Sequence, residues 1–234
     1  MKMPAMKYRR RLISTENLIK EGVLAQEALL RSASIEGTSQ IGWKLGFSSA
    51  AAKTRFGTSR ALVGFLLDKK QIPNNCTLDI SKWVKPVLEP EIAIYFDKDV
   101  NSAEDLFDSV SAVGPAYELA DLFAIHENPL DVTSSNIYQR HFILGSKNSN
   151  LRDLNLSHLS ATVDSQDIPD VEGFVGSMKD LLSDFAIDLQ NYSRKIKAGD
   201  FVITGSIIPP IFIETGKGYS YTLDGFEELT INIS

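Results

Sequence analysis

The stretch KPVLEPEIAIYFD, residues 85–97, decides how the chain is read. Side chains alternate across a strand. Leu88, Pro90, Ile92, Ile94 and Phe96 therefore share one face, and Glu89, Glu91 and Ala93 share the other. The first face is apolar and belongs in a core. The second sets two carboxylates side by side, and two readings of it are open. Either the strand has one wet face with solvated glutamates, the usual place for a carboxylate, or the acids share a cation. Neighbouring carboxylates repel, at a cost that grows where water is scarce, and no fixed positive charge is evident nearby on that face. Mg²⁺ or Mn²⁺ would remove the penalty, since both take carboxylate and water oxygens. Two ligands are few for such an ion. A third acid is expected, with Glu118 and Asp121 of GPAYELADLF (114–123) as candidates.

Outward from this stretch, most of the remaining chain reads as short β-rich segments bounded by Gly, Pro, Asn or Asp: ALVGFLLD (61–68), FILGS (142–146), LSATVDS (159–165), DFVITGS (200–206), PIFIETG (210–216) and ELTINIS (228–234). Helical stretches are expected at about Ser102 to Leu106 and at Met178 to Tyr192, the latter with Leu181, Leu182, Phe185 and Leu189 in one apolar stripe. Before Gly64 the character is helical. Ser14 or Thr15 can cap a first helix with Glu16 in its first turn, where Leu18, Ile19, Val23, Leu24, Ala28 and Leu29 recur at helical spacing before SIEGTSQ (34–40) ends it. A second helix is expected over about Ser48 to Phe56, with Ser48 as cap and Gly57 as terminator. Strands that do not alternate strictly with helices predict an α+β domain built on a folded-over sheet.

The 234 residues suit one sizeable domain, and an apolar fraction of 43% is enough for a real core. The net charge of -6 argues against nucleic acid or an anionic membrane as partner. The basic cluster Arg9-Arg10-Arg11 reads as a solvated N-terminal arm. Cys76 is the single cysteine, so no intrachain disulfide or cysteine zinc cluster forms. No apolar run approaches the ~20 residues of a membrane span, and the start lacks the apolar core of a secretory signal. A cytoplasmic protein is expected.

Several blocks taken together are more specific than any one alone. GWKLGFSSAAAKTRFGTSRALVGFLLD (42–68), VKPVLEPEIAIYF (84–96), VGPAYELADLF (113–123) and AGDFVITGSIIPP (198–210) occur in the order seen in the hydratase/decarboxylase branch of the fumarylacetoacetate hydrolase superfamily, and the chain resembles 2-oxopent-4-enoate hydratases and 4-oxalocrotonate decarboxylases from about Ile41 onward. The resemblance implies the folded mixed β-sheet (β-roll) of that superfamily over residues 41–234, preceded by an N-terminal helical segment, residues 1–40. It implies Mg²⁺ or Mn²⁺ bound by Glu89, Glu91 and Glu118, with Asp121 as a supporting acid. It places Lys44 facing the substrate, as anchor and proton carrier, and the backbone around Gly46 and Ser48 near the substrate carboxylate, where a helix start would favour an anion. Thr204 and Ser206 would position a keto acid, although a strand-ending turn would also explain their hydroxyls.

The implied activity is a metal-dependent lyase of a small 2-oxo acid or its enol: first a hydratase of 2-hydroxypenta-2,4-dienoate in aromatic-compound catabolism, then a 4-oxalocrotonate-type decarboxylase, a related C–C hydrolase or oxaloacetate decarboxylase, or a non-catalytic keto-acid-binding homologue. The family implies a homo-oligomer, at least a dimer. Three departures stand out. The family commonly has Pro-Asp-Tyr-Gly where this chain has ALVG, so its aspartate falls on Leu62. Its Asp-Asn-Ala-Ser-Ser-Gly block becomes SSNIYQRHFILG (134–145), keeping Asn136 but adding Arg140, which would meet a second substrate carboxylate or pair with a surface acid. The N-terminal region is also short. His126, His141 and His158 lack metal-pair spacing and read as structural, and GKGYSY (216–221) lacks the spacing of a phosphate loop.

Overall fold

The structure is a computed structural model that describes residues 14–100, 102–124 and 128–234. The Arg9–Arg11 cluster and His126 lie outside the described residues. Helix α1, Thr15–Ile35, starts where Ser14 accepts a hydrogen bond from the Asn17 N–H. Strand β1, Gln40–Gly46, follows, then α2, Ala50–Phe56, and β2, Leu62–Leu67. Next come β3 (Cys76–Leu78), β4 (Pro86–Phe96), α3 (Ala103–Asp108), β5 (Val110–Asp121), α4 (Pro129–Ser134) and β6 (Gln139–Leu144). The chain ends with β7 (Ala161–Val163), β8 (Gln166–Ile168), α5 (Met178–Tyr192), β9 (Phe201–Ile203), β10 (Ile211–Phe212), β11 (Gly218–Leu223) and β12 (Leu229–Ile233).

The described strands form two sheets. The larger runs β2-β1-β9-β4-β5-β6, with β10 pairing beside the start of β4, and the smaller runs β3-β12-β11-β7-β8. Most pairings are antiparallel; β1 with β9 and β12 with β3 are parallel. One apolar core joins the two sheets and α5. Leu88, Ile92, Ile94 and Phe96 of β4 meet Tyr221, Leu229 and Ile231 of the smaller sheet and Leu181, Leu182 and Phe185 of the helix. Fully burying a side chain of this size stabilises the fold by roughly 1.5–3 kcal/mol. The folded sheet and the α5 stripe follow the alternation and the helical spacing of the sequence.

Several local expectations need correction. The face of β4 that carries Glu89, Glu91 and Ala93 is not wet: Glu91 and Ala93 are fully buried and Tyr95 nearly so. The cap of α2 is Ser49, whose Oγ accepts from the Ala52 N–H, and not Ser48, one residue earlier. Gly57 terminates α2 in the left-handed conformation as expected. In α1 the buried side is Ile19, Gly22, Val23 and Gln26, while Leu24 and Leu29 face solvent. Gln26 explains the difference, because its amide donates to the carbonyls of Val63 and Thr133 and its oxygen accepts from Arg194. A polar latch therefore helps to fix the rotation of this helix.

Candidate metal centre and its cavity

Strands β4 and β5 pair antiparallel with Glu89 opposite Glu118, and Glu91 lies two residues further along the same face. Register alone thus brings the third acid to the pair. One carboxylate oxygen from each of Glu89, Glu91 and Glu118 lies within 4.8 Å of the others. Glu91 and Glu118 are fully buried, and Glu89 is half-buried at the cavity wall.

Lys44 supplies the positive charge that the local sequence did not reveal. It sits within β1 and is 1% exposed, so it is not a surface lysine at a strand end. Its Nζ donates to Glu118 Oε1 at 2.5 Å and to the Ile137 carbonyl at 3.2 Å. The parallel β1–β9 pair and the antiparallel β9–β4 pair carry β1 into reach of β5. On the other side, the Gly205 N–H donates to Glu91 Oε2 at 2.9 Å. Gly205 holds φ +87°, and a Cβ there would fall 2.2 Å from Ser48 Oγ, so only glycine fits this turn.

Two buried oxygens, Glu91 Oε1 and Glu118 Oε2, have no hydrogen-bond partner among the described residues. Burial pushes the Glu91 carboxyl well above the usual carboxylate range, and Glu118 and Glu89 push it further, against Lys44 and the Gly205 amide. Burial, then Glu118, raises Glu89 to about 7. Glu118 is also raised by burial, with Lys44 opposing. Buried polar atoms are normally satisfied. Two unpartnered buried oxygens, on acids that gather with a third within 4.8 Å, therefore fit a hard divalent cation, which takes oxygen ligands.

A cavity of about 410 Å³ opens beside the acids. Lys44, Gly46, Ser48, Glu89 and Ser206 line it, whereas Glu91, Glu118 and Thr204 lie behind its wall. Thr204 Oγ1 accepts from the Ile92 N–H, and Ser206 Oγ donates to the Pro90 carbonyl, so both hydroxyls hold the turn against β4. Ser48 Oγ donates to the Thr204 carbonyl and closes the same turn. Arg140 is not among the lining residues. Its guanidinium pairs with Asp121 Oδ2 at 3.1 Å, while Asp121 Oδ1 accepts the N–H groups of Val84 and Lys85. Leu62 is buried with Ile19, Val23, Phe56 and Val87.

Asn136, Ile137 and Tyr138 escaped the sequence reading as a unit. All three have positive φ, 53°, 54° and 64°. Left-handed backbone is costly for a β-branched residue, and it is held here by the Asn136 amide, which donates to the Phe65 carbonyl and accepts from the Phe65 N–H. The triplet presents the Ile137 carbonyl to Lys44 and the Ile137 and Tyr138 side chains to the cavity. Asn136 is the one sequence hint, since asparagine tolerates this conformation.

No family model matches the chain. Among known sequences it is similar to a 4-oxalocrotonate decarboxylase of Pseudomonas putida, 25% identical over 81% of this chain and 75% of the relative. It is likewise similar to 2-keto-4-pentenoate hydratase 1 of Dechloromonas aromatica (strain RCB), 23% identical over 86% of this chain and 80% of the relative. Among solved structures, the 4-oxalocrotonate decarboxylase of Pseudomonas putida G7 complexed with magnesium and adipate superposes with a TM-score of 0.79 at 19% identity, covering 96% of this chain and all of that one. Fumarylpyruvate hydrolase of Pseudomonas aeruginosa, in complex with Mn²⁺ and pyruvate, gives 0.58 at 16% identity over 82% of this chain and 88% of that one. The fold expected from the sequence is the fold these neighbours share. In sequence and in architecture, the chain is similar to members of the hydratase/decarboxylase branch of the fumarylacetoacetate hydrolase superfamily.

Proposed function

We propose that this chain is a divalent-metal-dependent lyase acting on a small 2-oxo acid or its enol, with Glu89, Glu91 and Glu118 holding Mg²⁺ or Mn²⁺. The observation that carries this reading is the gathering of Glu89, Glu91 and Glu118, one carboxylate oxygen of each within 4.8 Å of the others, with Glu91 Oε1 and Glu118 Oε2 buried and without a hydrogen-bond partner among the described residues. When bound, the ion supplies Lewis acidity toward the carboxylate and 2-oxo oxygens of the substrate. The chain's own groups do the remainder. The Gly205 amide and Lys44 each occupy one carboxylate oxygen, which fixes the orientation of the other. Lys44 spends two donors on Glu118 and Ile137, and its third N–H is left to hold an anionic substrate oxygen or to move a proton there. The lining residues named for this chemistry all fall within residues 41–234, which we read as the catalytic unit, distinct from the N-terminal segment 1–40 that carries α1.

Hydration of a 2-hydroxydienoate and decarboxylation of a 4-oxalocrotonate-type acid both place charge on the same substrate oxygen. One observation favours decarboxylation as the second reading. Leu62, at the position of the family aspartate, is packed in an apolar cluster and can neither orient water nor move a proton.

Calorimetric titration of Mg²⁺ and Mn²⁺ into wild type and Glu91→Gln tests the site. The wild type should bind one ion per chain, and the variant should lose affinity at least tenfold with unchanged circular dichroism. Equal affinity in both proteins would remove the ligand assignment. Turnover of 2-hydroxypenta-2,4-dienoate against 4-oxalocrotonate, with the ion present, separates the two chemistries.

A further inference from the structure

Strand β2 lies at the edge of the larger sheet, and side-chain amides meet its outward backbone groups in place of a further strand. Asn136 serves both groups of Phe65. Two residues earlier, Nε2 of Gln26 on α1 donates to the Val63 carbonyl at 3.0 Å and to the Thr133 carbonyl of α4 at 2.8 Å. Gln26 is fully buried, and Arg194, itself held by Asp188 at 3.0 Å, donates to its Oε1 at 2.6 Å. That contact leaves the amide nitrogen as the end that faces the two carbonyls. Helix α1 is seated equally tightly on α4, since a Cβ on Gly22 would fall 2.6 Å from Thr133 Cβ.

Both carbonyls flank Lys44. Val63 precedes Gly64, which pairs with Lys44 across β1 and β2. A Cβ on Gly64 would lie 2.9 Å from Lys44 Cγ and 2.8 Å from Asn136 Oδ1, so the lysine stem runs through a slot between β2 and the 136–138 segment. Thr133 belongs to the short helix that leads into this segment, which presents the Ile137 carbonyl to Lys44 Nζ. The slot has two walls, and one buried glutamine of the N-terminal helix bonds to both.

We propose that Gln26 is a positioning residue for Lys44: it clamps the two walls of the slot, so that α1, outside the residues read as the catalytic unit, sets where the ammonium lies. The consequence for turnover rests on the proposed role of Lys44 toward the substrate, whereas the clamp itself stands or falls on geometry. Without the two donated bonds, α4 and the edge of β2 part in a local opening, a smaller event than unfolding. The Ile137 carbonyl then leaves Lys44, and the ammonium loses one of its two fixed partners. The three acids lie on β4 and β5 and keep their register. Loss of the clamp therefore lowers kcat and spares ion affinity.

The test follows Lys44 directly. In metal-free protein labelled with ¹⁵N at the lysine side chains, the ammonium signal that disappears in Lys44→Met is its own, and solvent exchange of its protons reads the opening of the slot. Gln26→Met removes every bond of the amide, and Gln26→Glu keeps an acceptor for Arg194 while losing the donors. Each should speed Lys44 exchange about tenfold or more over wild type, the order expected for two lost hydrogen bonds. Arg60→Gln is the control, because it cuts the bidentate Arg60–Glu16 pair at the start of α1 and touches neither carbonyl. Its Lys44 exchange should stay within about twofold of wild type, even where its melting temperature falls as far. Equal acceleration in Arg60→Gln and the Gln26 variants would reduce α1 to a stabiliser and overturn the proposal, as would no acceleration in folded Gln26 variants. If neither variant folds, wild type in mild urea decides: the Gln26 Nε2 and Lys44 Nζ protons should exchange through one opening, with rates that rise in parallel, and a Lys44 rate that stays constant while the Gln26 rate rises overturns the clamp. For whichever 2-oxo acid the wild type turns over, Gln26→Glu should lower kcat about tenfold with Mn²⁺ affinity held within about threefold. Faster exchange with unchanged kcat would overturn the link from clamp to chemistry. A wild type without turnover would instead sink the lyase reading, and the exchange rates alone would then judge the clamp.

Discussion

Replacing Lys44 with methionine keeps most of the side-chain volume and removes one charge from the middle of the sheet. The Lys44–Glu118 pair is 2.5 Å long, and both side chains are almost fully inaccessible. Breaking a buried pair by deleting one partner costs about 3–5 kcal/mol, because the remaining charge stays buried without compensation. Here the remaining charges are three carboxylates within 4.8 Å of one another. At about 2–4 °C per kcal/mol for a domain of this size, the melting temperature of the metal-free variant should fall by roughly 6–20 °C at pH 8. Burial holds Glu89 at about 7, above the usual carboxylate range, and raises Glu91 as well. A carboxyl raised by folding binds more protons in the native state, so its contribution to stability is present at low pH and lost as pH rises through about 7. Metal-free wild type should therefore lose stability between pH 5.5 and pH 8, and the Lys44→Met penalty should be smaller at pH 5.5, where the acids can neutralise themselves. A divalent ion at a hundredfold excess over its dissociation constant should return about 2.7 kcal/mol to any protein that still binds it. The assay is thermal unfolding with chelator at the two pH values, repeated with Mn²⁺. A loss under about 1 kcal/mol at pH 8, or the same loss at both pH values, would refute the view that Lys44 is the counter-charge of this cluster.

Leu62→Asp introduces the acid that the resemblance would put here, yet it sets a carboxylate among Ile19, Val23 and Phe56. It should destabilise by more than about 3 kcal/mol in urea unfolding and bring no gain in hydration; a folded variant with faster dienoate hydration would show that this position reaches the substrate. Asn136→Ala removes both hydrogen bonds to the Phe65 backbone. It should cost about 1–3 kcal/mol, release the left-handed triplet and lower kcat with metal affinity retained. Unchanged kcat would separate the triplet from Lys44.

The sequence made β4 legible because period-two alternation survives wherever one face is apolar, and the acids at Glu89 and Glu91 could be read from it directly. It did not make β5 legible. Gly114 and Pro115 interrupt that segment, and a proline argues against an inner strand. The structure accepts it because the Pro115 carbonyl takes the Gly145 N–H, and Gly145 leaves space for the ring that a Cβ would fill. Ser48 and Ser49 are equally able to cap a helix, and only the backbone decides between them. Lys44 and Glu118 lie 74 residues apart. Their contact depends on strand order, which local spacing does not encode, so Lys44 looked like a surface residue apart from the family resemblance. That Arg140 pairs with Asp121 and does not line the cavity was hidden for the same reason, because only the fold says which basic residues reach it.

The parallel pairing of β1 with β9 sets a schedule for biosynthesis. Translation delivers residues at roughly 5–20 per second, so Lys44 emerges many seconds before its neighbour Ile203. Until the segment through Gly205 has left the ribosome, Glu91 lacks its amide and β1 lacks the strand that brings it to β4. A nascent polypeptide halted before that point carries its acids uncoordinated and unclamped. Under the proposed chemistry, ion uptake is thus a late event, gated by completion of the C-terminal third of the molecule.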